Sequence, residues 1–363
     1  MPKHSALLAV AVAAFIGVAP ARGVSYLAID LNPGGFSSSF AYGISGGCQA
    51  GGGLSPSGKA SAVTWNGTAG SAVDLSPDIQ GACICGVGGE AFAGFFSASG
   101  GHSHAALWSG SPLTFVDLNP AGFVFSLALA TDGVQQAGWG YGASGNRHAL
   151  LWAGTAASCI DLNPSGFVSS LASGTSGGCQ IGQGQIDANS VHALLWNGSA
   201  GSYVDLNPLG CVGSSGHGIF GSQQVGYAEL DDPVASVIHA GLWNGTAESF
   251  IDLQPAGFGE TVATATNGVE QVGYGQPDSN VSTNHALVWN GSAASCTDLQ
   301  QYLPSGFDRS EAYGIDASGS IVGYASGPDG IAHAFLWVPV PEPGALALLT
   351  LGGLRLLGRR RRA

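Results

Sequence analysis

Histidine and aspartate recur in this chain at one fixed separation, the pairing used by general acid–base catalysis and by metal sites. His104, His148, His192, His239 and His285 each precede an aspartate by 13 residues, at Asp117, Asp161, Asp205, Asp252 and Asp298. His333 holds the corresponding place near the C-terminus. A catalytic dyad or a metal centre needs such groups gathered at one point. Here each pair belongs to its own unit of a repeat, which keeps the histidines apart and assigns them to the scaffold. The repeated Asp is expected to satisfy backbone donors of the Asn-Pro-x-Gly turn that follows it. No metal or cofactor is expected.

The remaining reactive side chains give no stronger chemistry. Seven cysteines are an odd number, so they cannot pair fully within one chain. Cys48 and Cys179 share a Ser-Gly-Gly-Cys-Gln string, and Cys159 and Cys296 both lie two residues before an Asp-Leu aspartate. Equivalent places in separate repeats lie far apart, so these thiols are read as small buried hydrophobes rather than bridges. Cys83 and Cys85 are expected to face opposite sides of their strand, which disfavours a shared metal. Glu229, Asp231 and Asp232 cluster in what reads as an inserted loop. Such a loop could hold Ca²⁺ loosely, but a solvated charge run fits its few ligands better. No Ser-His-Asp set, phosphate loop or paired carboxylate stands outside the repeat, so no catalytic residue is assigned.

The elements that position these residues follow from two markers that each count seven. Tryptophan closes an apolar pentapeptide at Trp65, Trp108, Trp152, Trp196, Trp243, Trp289 and Trp337. An Asp-Leu pair begins at Asp30, Asp74, Asp117, Asp161, Asp205, Asp252 and Asp298. Within one unit the pattern gives a first strand at Ser170 to Thr175, a Gly177-Gly178 turn and a second strand at Gln180 to Gly184. A third strand follows at His192 to Trp196 and a fourth at Ser202 to Leu206. Four short strands about every 45 residues make a propeller blade. Asn197-Gly198 reads as the tight hairpin between the last two strands, and it recurs at Asn66, Asn244 and Asn290. The turn accounts for these Asn-x-Ser/Thr strings without glycosylation. With that turn centred on Gly198-Ser199, His192 faces Asp205 across the ladder, so a His to Asp hydrogen bond is expected in each blade with Trp as the packing wedge. The first unit, with Ser61 in the histidine place, lacks it.

The first strand after residue 24 is a fourth strand without a third, and the last unit ends at Trp337 without a fourth. The two deficits match. The expected fold is therefore all-β, a seven-bladed β-propeller closed by pairing the N-terminal strand with the last blade. An open β-solenoid is the alternative. One place varies between units while the frame repeats: Tyr42, Cys85, Leu129, Ser173, His217, Thr264 and Tyr313, the second residue of each first-strand motif. If that strand lines the axial channel, these seven form its wall and a candidate binding site.

Charge and the two ends bear on location. Residues 1–21 carry Lys3, an apolar run and Ala19-Pro20-Ala21, the shape of a secretory signal cut after Ala21. Residues 22–338 then form the propeller, and 339–363 a tail. Between residues 24 and 338 only Lys59, Arg147 and Arg309 oppose 22 acidic residues, a formal charge of −19. Such a surface repels phosphate backbones and makes nucleic acid an improbable partner.

His333 to Trp337 reads HAFLW, and HALLW stands at 148–152 and 192–196, with Val-Gly-Tyr at 225–227, 272–274 and 322–324. These strings resemble the bacterial extracellular HAF repeat, over roughly residues 24 to 337. The tail, with Pro341-Glu342-Pro343, an apolar stretch and Arg359, Arg360, Arg361 and Arg362, resembles the PEP-CTERM sorting signal. Together the resemblances imply export in a Gram-negative bacterium, transient anchoring of a C-terminal transmembrane helix in the inner membrane, and processing by an exosortase-type enzyme. The destination they imply is the cell surface or a biofilm-type matrix, with exopolysaccharide or another surface protein as partner. The functional expectation is a noncatalytic structural or interaction scaffold. A glycan-binding module using Tyr42, Tyr313 and His217 is the alternative, and a polysaccharide hydrolase or lyase a third reading.

Overall fold

The structure, a computed structural model, describes residues 24–110, 113–142, 145–231, 237–279 and 282–340. The expected signal segment and the whole Pro-Glu-Pro tail lie outside the described residues, as does Asp232. Among the described residues no helix is long and apolar enough to cross a membrane.

Seven antiparallel four-stranded sheets make the body, each in the strand order first, second, third, fourth. It is a seven-bladed β-propeller. Six blades are continuous in sequence, beginning at Ser38, Cys83, Phe125, Ser169, Cys211 and Phe258. The seventh takes Arg309–Ile315, Ile321–Ser326 and Ala332–Val340 from the C-terminal side and Ser25–Asp30 from the N-terminal side. The expected closure is present. Leu31 N–H adds a backbone bond to the Ala334 carbonyl at 2.8 Å.

The core lies between blades rather than within any one of them. One cluster joins Ala149 and Leu151 of the third blade to Ala172, Leu194 and Trp196 of the fourth. Another joins Ala334 and Leu336 of the seventh to Ala41, Val63 and Trp65 of the first, across the seam between the chain ends. Because a third strand has a neighbouring blade on both faces, its sequence is a continuous apolar run; Ala149, Leu150, Leu151 and Trp152 are all buried. All seven repeat tryptophans are fully buried. At roughly 150–250 Å² each and about 25 cal/mol per Å², every one contributes at most about 4–6 kcal/mol.

A repeated polar clasp fastens six of the seven blades to the next; in the first blade Ser76 Oγ instead accepts from Ala62 N–H of the same blade. In the third blade, His148 Nδ1–H donates to Asp161 Oδ2 at 2.7 Å, and Asp161 Oδ1 accepts from the Asn163 N–H at 2.8 Å. Asn163 Oδ1 accepts from Ser170 Oγ at 2.7 Å, and that oxygen accepts from Ala149 N–H at 3.0 Å, returning to the third blade. The same four bonds cross the closing seam through His333, Asp30, Asn32, Ser39 and Ala334. In all six blades that have the histidine, the His to Asp bond is 2.7–2.9 Å. Asp74 of the first blade instead accepts from Ser76, on both its N–H and Oγ.

Two local expectations are corrected. The fourth strand is only Val204–Asp205, and Asp205 pairs with Leu194, so the histidine bond runs diagonally rather than directly across. The Asn-Gly connection is not a two-residue hairpin. It is a longer loop with a 3-10 turn at Ala200–Ser202, and Asn197 keeps negative φ while Gly198 alone is positive at 73°. Ser202 Oγ accepts from Asn197 N–H at 2.9 Å and donates to the Ser199 carbonyl at 2.6 Å. Gln180, reaching over from the second strand, accepts from Gly198 N–H at 2.9 Å. These fixed bonds explain why the hairpin tolerates no insertion.

Candidate functional site: the axial cavity

Each blade lays its first strand along the axis. The strands Cys211–Phe220 and Phe258–Thr266 have an extra register shift near their start, and all seven first strands share a β-bulge at one equivalent place. The residue left there without a cross-strand partner is Tyr42, Cys85, Leu129, Ser173, His217, Thr264 or Tyr313 in turn. These are the seven variable positions. A bulge re-aims the side chain it carries, and all seven line one cavity of about 460 Å³.

The bulge also accounts for a glycine that recurs opposite it. A Cβ on Gly51, Gly94, Gly138, Gly182, Gly226, Gly273 or Gly323 would stand 1.9–2.0 Å from a first-strand carbonyl oxygen. No side chain fits there. The sequence signal is the glycine in each second strand, three of them within Val-Gly-Tyr strings.

The wall has an aromatic sector at the seam of the ring. Tyr42 stacks parallel to Phe40 at 6.1 Å and meets Tyr313 edge-on at 5.4 Å. Tyr313 stacks with Tyr324 at 6.0 Å and contacts Tyr274 at 6.3 Å. Behind these rings Glu311 is buried. It accepts from Arg309 at 2.6 Å, Asn284 at 2.7 Å and the Tyr313 hydroxyl at 2.5 Å. Burial works to raise the Glu311 pKa, but the hydrogen bonds from Arg309, Tyr313 and Asn284 outweigh it and hold the carboxyl below its usual range. Burial raises the Tyr42 and Tyr313 phenols, the Glu311 charge adding to both, so they stay protonated.

Across the cavity, His217 meets Tyr227 edge-on at 5.5 Å. The ring keeps some surface toward the cavity, yet desolvation pushes its pKa down to about 4. It is neutral at physiological pH. Gln183, Ser215, Leu171, Phe95 and Cys83 complete the lining. Sequence reasoning missed these five, although a period of two along the strand places Cys83, Leu171 and Ser215 on the face of their bulged neighbours.

Three further expectations are corrected here. Cys83 and Cys85 do not point apart: both line the cavity, and the Cys83 thiol donates to the Ile84 carbonyl at 3.5 Å. All seven cysteines are free, and they are half-buried rather than core residues. Glu229 belongs to the strand Gln223–Leu230, paired with Gly213 and Ile238, so it is not part of an inserted loop with Asp231. Among the described residues no group of three or more metal-ligating side chains gathers.

The hairpins between first and second strands surround a second cavity of about 590 Å³ at one end, with Asp132, Asn267 and Asp316 in its rim. These side chains serve the turns. Asp132 Oδ1 accepts from Val134 and Gln135 N–H groups, and Asp316 Oδ1 from Ser318 and Ser320 N–H groups.

No family model matches the chain, and no curated protein matches it. Solved structures do. The β-propeller domain of the Trilobed protease from Pyrococcus furiosus, described as having an open velcro topology, superposes with a TM-score of 0.58 at 10% identity, covering 82% of this chain and 95% of that one. An acylaminoacyl peptidase from Pyrococcus horikoshii gives 0.57 at 9% identity, covering 89% of this chain and 56% of that one. The polysaccharide lyase Uly1 gives 0.52 at 8% identity, covering 88% and 100%. At such identities these likenesses establish a shared propeller architecture and nothing about activity.

Proposed function

We propose that this chain is an exported, noncatalytic recognition scaffold, sorted to the cell surface or extracellular matrix, that holds its ligand in the axial cavity. One observation carries the reading. The frame of every blade repeats, whereas the seven bulged positions differ and converge on one cavity. A purely architectural ring would need no such divergence at its best-positioned side chains.

The noncatalytic part of the reading rests on the chemistry of the wall. The described lining residues include no carboxylate and no cation, so no acid pair faces a substrate there as glycoside cleavage would require. Glu311, the nearest buried acid, is engaged by three donors. The six His to Asp pairs are distributed one to a blade, with each Asp also binding the turn after it, so none is assembled with a nucleophile.

Export and sorting rest on the sequence of the ends, which pairs a signal-like residues 1–21 with a Pro-Glu-Pro tail. Fractionation of cells expressing the full chain, with and without residues 339–363, tests this. The expected result is a tail-processed product at the surface or in the matrix, and altered retention without the tail. Recovery of both forms from the cytoplasm would contradict it.

A further inference from the structure

We infer that the axial cavity takes a neutral oligosaccharide end and turns away acidic ones, a deepening that rests on the cavity being the recognition site. Three properties of the wall lead there. It offers aromatic surface, chiefly from Tyr42 and Tyr313, suited to the C–H face of a pyranose. It offers hydrogen-bonding groups from three separate blades with capacity to spare. Among the described residues Gln183 uses only its Oε1, on Ser215 at 2.5 Å, leaving its two N–H donors. His217 and the Tyr42 hydroxyl make no hydrogen bond among the described residues. An imidazole kept neutral by desolvation supplies one donor and one acceptor, as a sugar hydroxyl pair needs. An apolar ligand would strand these groups unpaired.

The third property is charge. A carboxylated, sulfated or phosphorylated sugar entering this cavity would lose its hydration and find no cation. It would also approach a body carrying 22 acidic against three basic residues between residues 24 and 338. All three cations are engaged within the protein. Arg309 binds Glu311 at 2.6 Å, Arg147 stacks over Trp139 at 5.6 Å, and Lys59 donates to the Pro77 carbonyl at 2.6 Å. The cavity, at about 460 Å³, lies within the size range of small-molecule sites.

The test is calorimetric titration of the full chain with neutral hexasaccharides, cellohexaose and maltohexaose, and with an oligoguluronate of equal length, at low and physiological salt. A neutral sugar is expected to bind, and the acidic one not to, at either salt. Tyr42→Phe, Gln183→Leu and His217→Phe each remove hydrogen-bonding capacity, and each is expected to weaken neutral-sugar binding about three- to tenfold. Unchanged melting temperatures verify that the variants fold. Equal affinity for the acidic sugar, no binding of either neutral sugar at millimolar concentration, or binding indifferent to all three variants would each overturn the inference. The parent reading fails separately. It falls if the variants leave attachment of the chain to its own cell surface unchanged, and it survives a failed sugar titration if they weaken that attachment.

Discussion

Replacing Gly182 by alanine should remove the bulge that aims Ser173 into the cavity. A Cβ there would stand 2.0 Å from the Leu171 carbonyl oxygen, with the Ala172 backbone 2.9 Å away. Carbon and oxygen in ordinary contact keep about 3.3–3.6 Å, so the two strands must part by about 1.3 Å or more. That separation breaks adjacent ladder bonds of the first hairpin. It also breaks the bonds from Ser173 Oγ to the Ile181 carbonyl at 3.2 Å and to the Gly216 carbonyl of the next blade at 2.7 Å. Overpacking costs about 1–3 kcal/mol. Two or three lost hydrogen bonds add about 1 kcal/mol each, giving roughly 3–6 kcal/mol in total. At about 2–4 °C per kcal/mol, the melting temperature should fall by roughly 6–24 °C in a calorimetric scan. The control is Gly201→Ala in the same blade. Gly201 has nothing within 4 Å of its Cβ position and no positive φ. Alanine already occupies its place in the 3-10 turns at Ala156–Ser158 and Ala293–Ser295. That control should stay within about 2 °C of the parent, as surface changes of under ~0.5 kcal/mol do. If Gly182→Ala melts like Gly201→Ala, the account of the bulge is wrong.

Other consequences concern the clasp, the buried glutamine and acid stability. The clasp at the closing seam matches those between blades contiguous in sequence. His333→Ala and His148→Ala should therefore each cost about 0.5–1.5 kcal/mol in chemical denaturation and agree closely; a much larger loss for His333 would mean that the seam is a different joint. Gln180→Ala strips the acceptor from Gly198 N–H and should cost about 1–3 kcal/mol in the same assay. A neutral effect would show that the bond does not brace the loop. His217 takes a proton near 6.5 in the unfolded chain but only at about 4 in the folded one. The unfolded state thus binds more protons between those values, so this stability is complete above about pH 6.5 and is lost as pH falls toward 4. Melting curves from pH 7.5 to 4.5 should show a flatter decline for His217→Gln than for the parent, and parallel declines would refute the assignment.

The repeat markers made the architecture legible because blade packing acts on single residue types. A third strand covered on both faces must be apolar throughout and end in a large wedge, so Trp at 65, 108, 152 and onward counts the blades directly. Closure was legible for the same reason, since an Asp-Leu strand with no partner and a Trp strand with no successor can only complete each other. The His to Asp bond was legible in its partners but not in its register. Its register depends on a loop held by Ser202 and Gln180, and Gln180 arrives from another strand. The seven variable positions could be named from alignment of the units with one another, yet the bulge behind them could not. Its signature, a glycine opposite it, reads as an ordinary small residue until the carbonyl that occupies its Cβ position is known. Cys83 and Cys85 went astray for a simpler reason: residues two apart on a strand share a face, and here that face is the cavity wall. The Glu311 cluster was hidden because Asn284 and Arg309 meet it from different blades.

A crystal structure of the full chain grown with cellohexaose or maltohexaose addresses the central claim most directly. The account predicts sugar density on the axis between Tyr42, Tyr313 and His217, with His217 and the Gln183 amide nitrogen within hydrogen-bonding distance of hydroxyls. Sugar seated only between blades or on the outer rim, with the axial cavity empty, would contradict it.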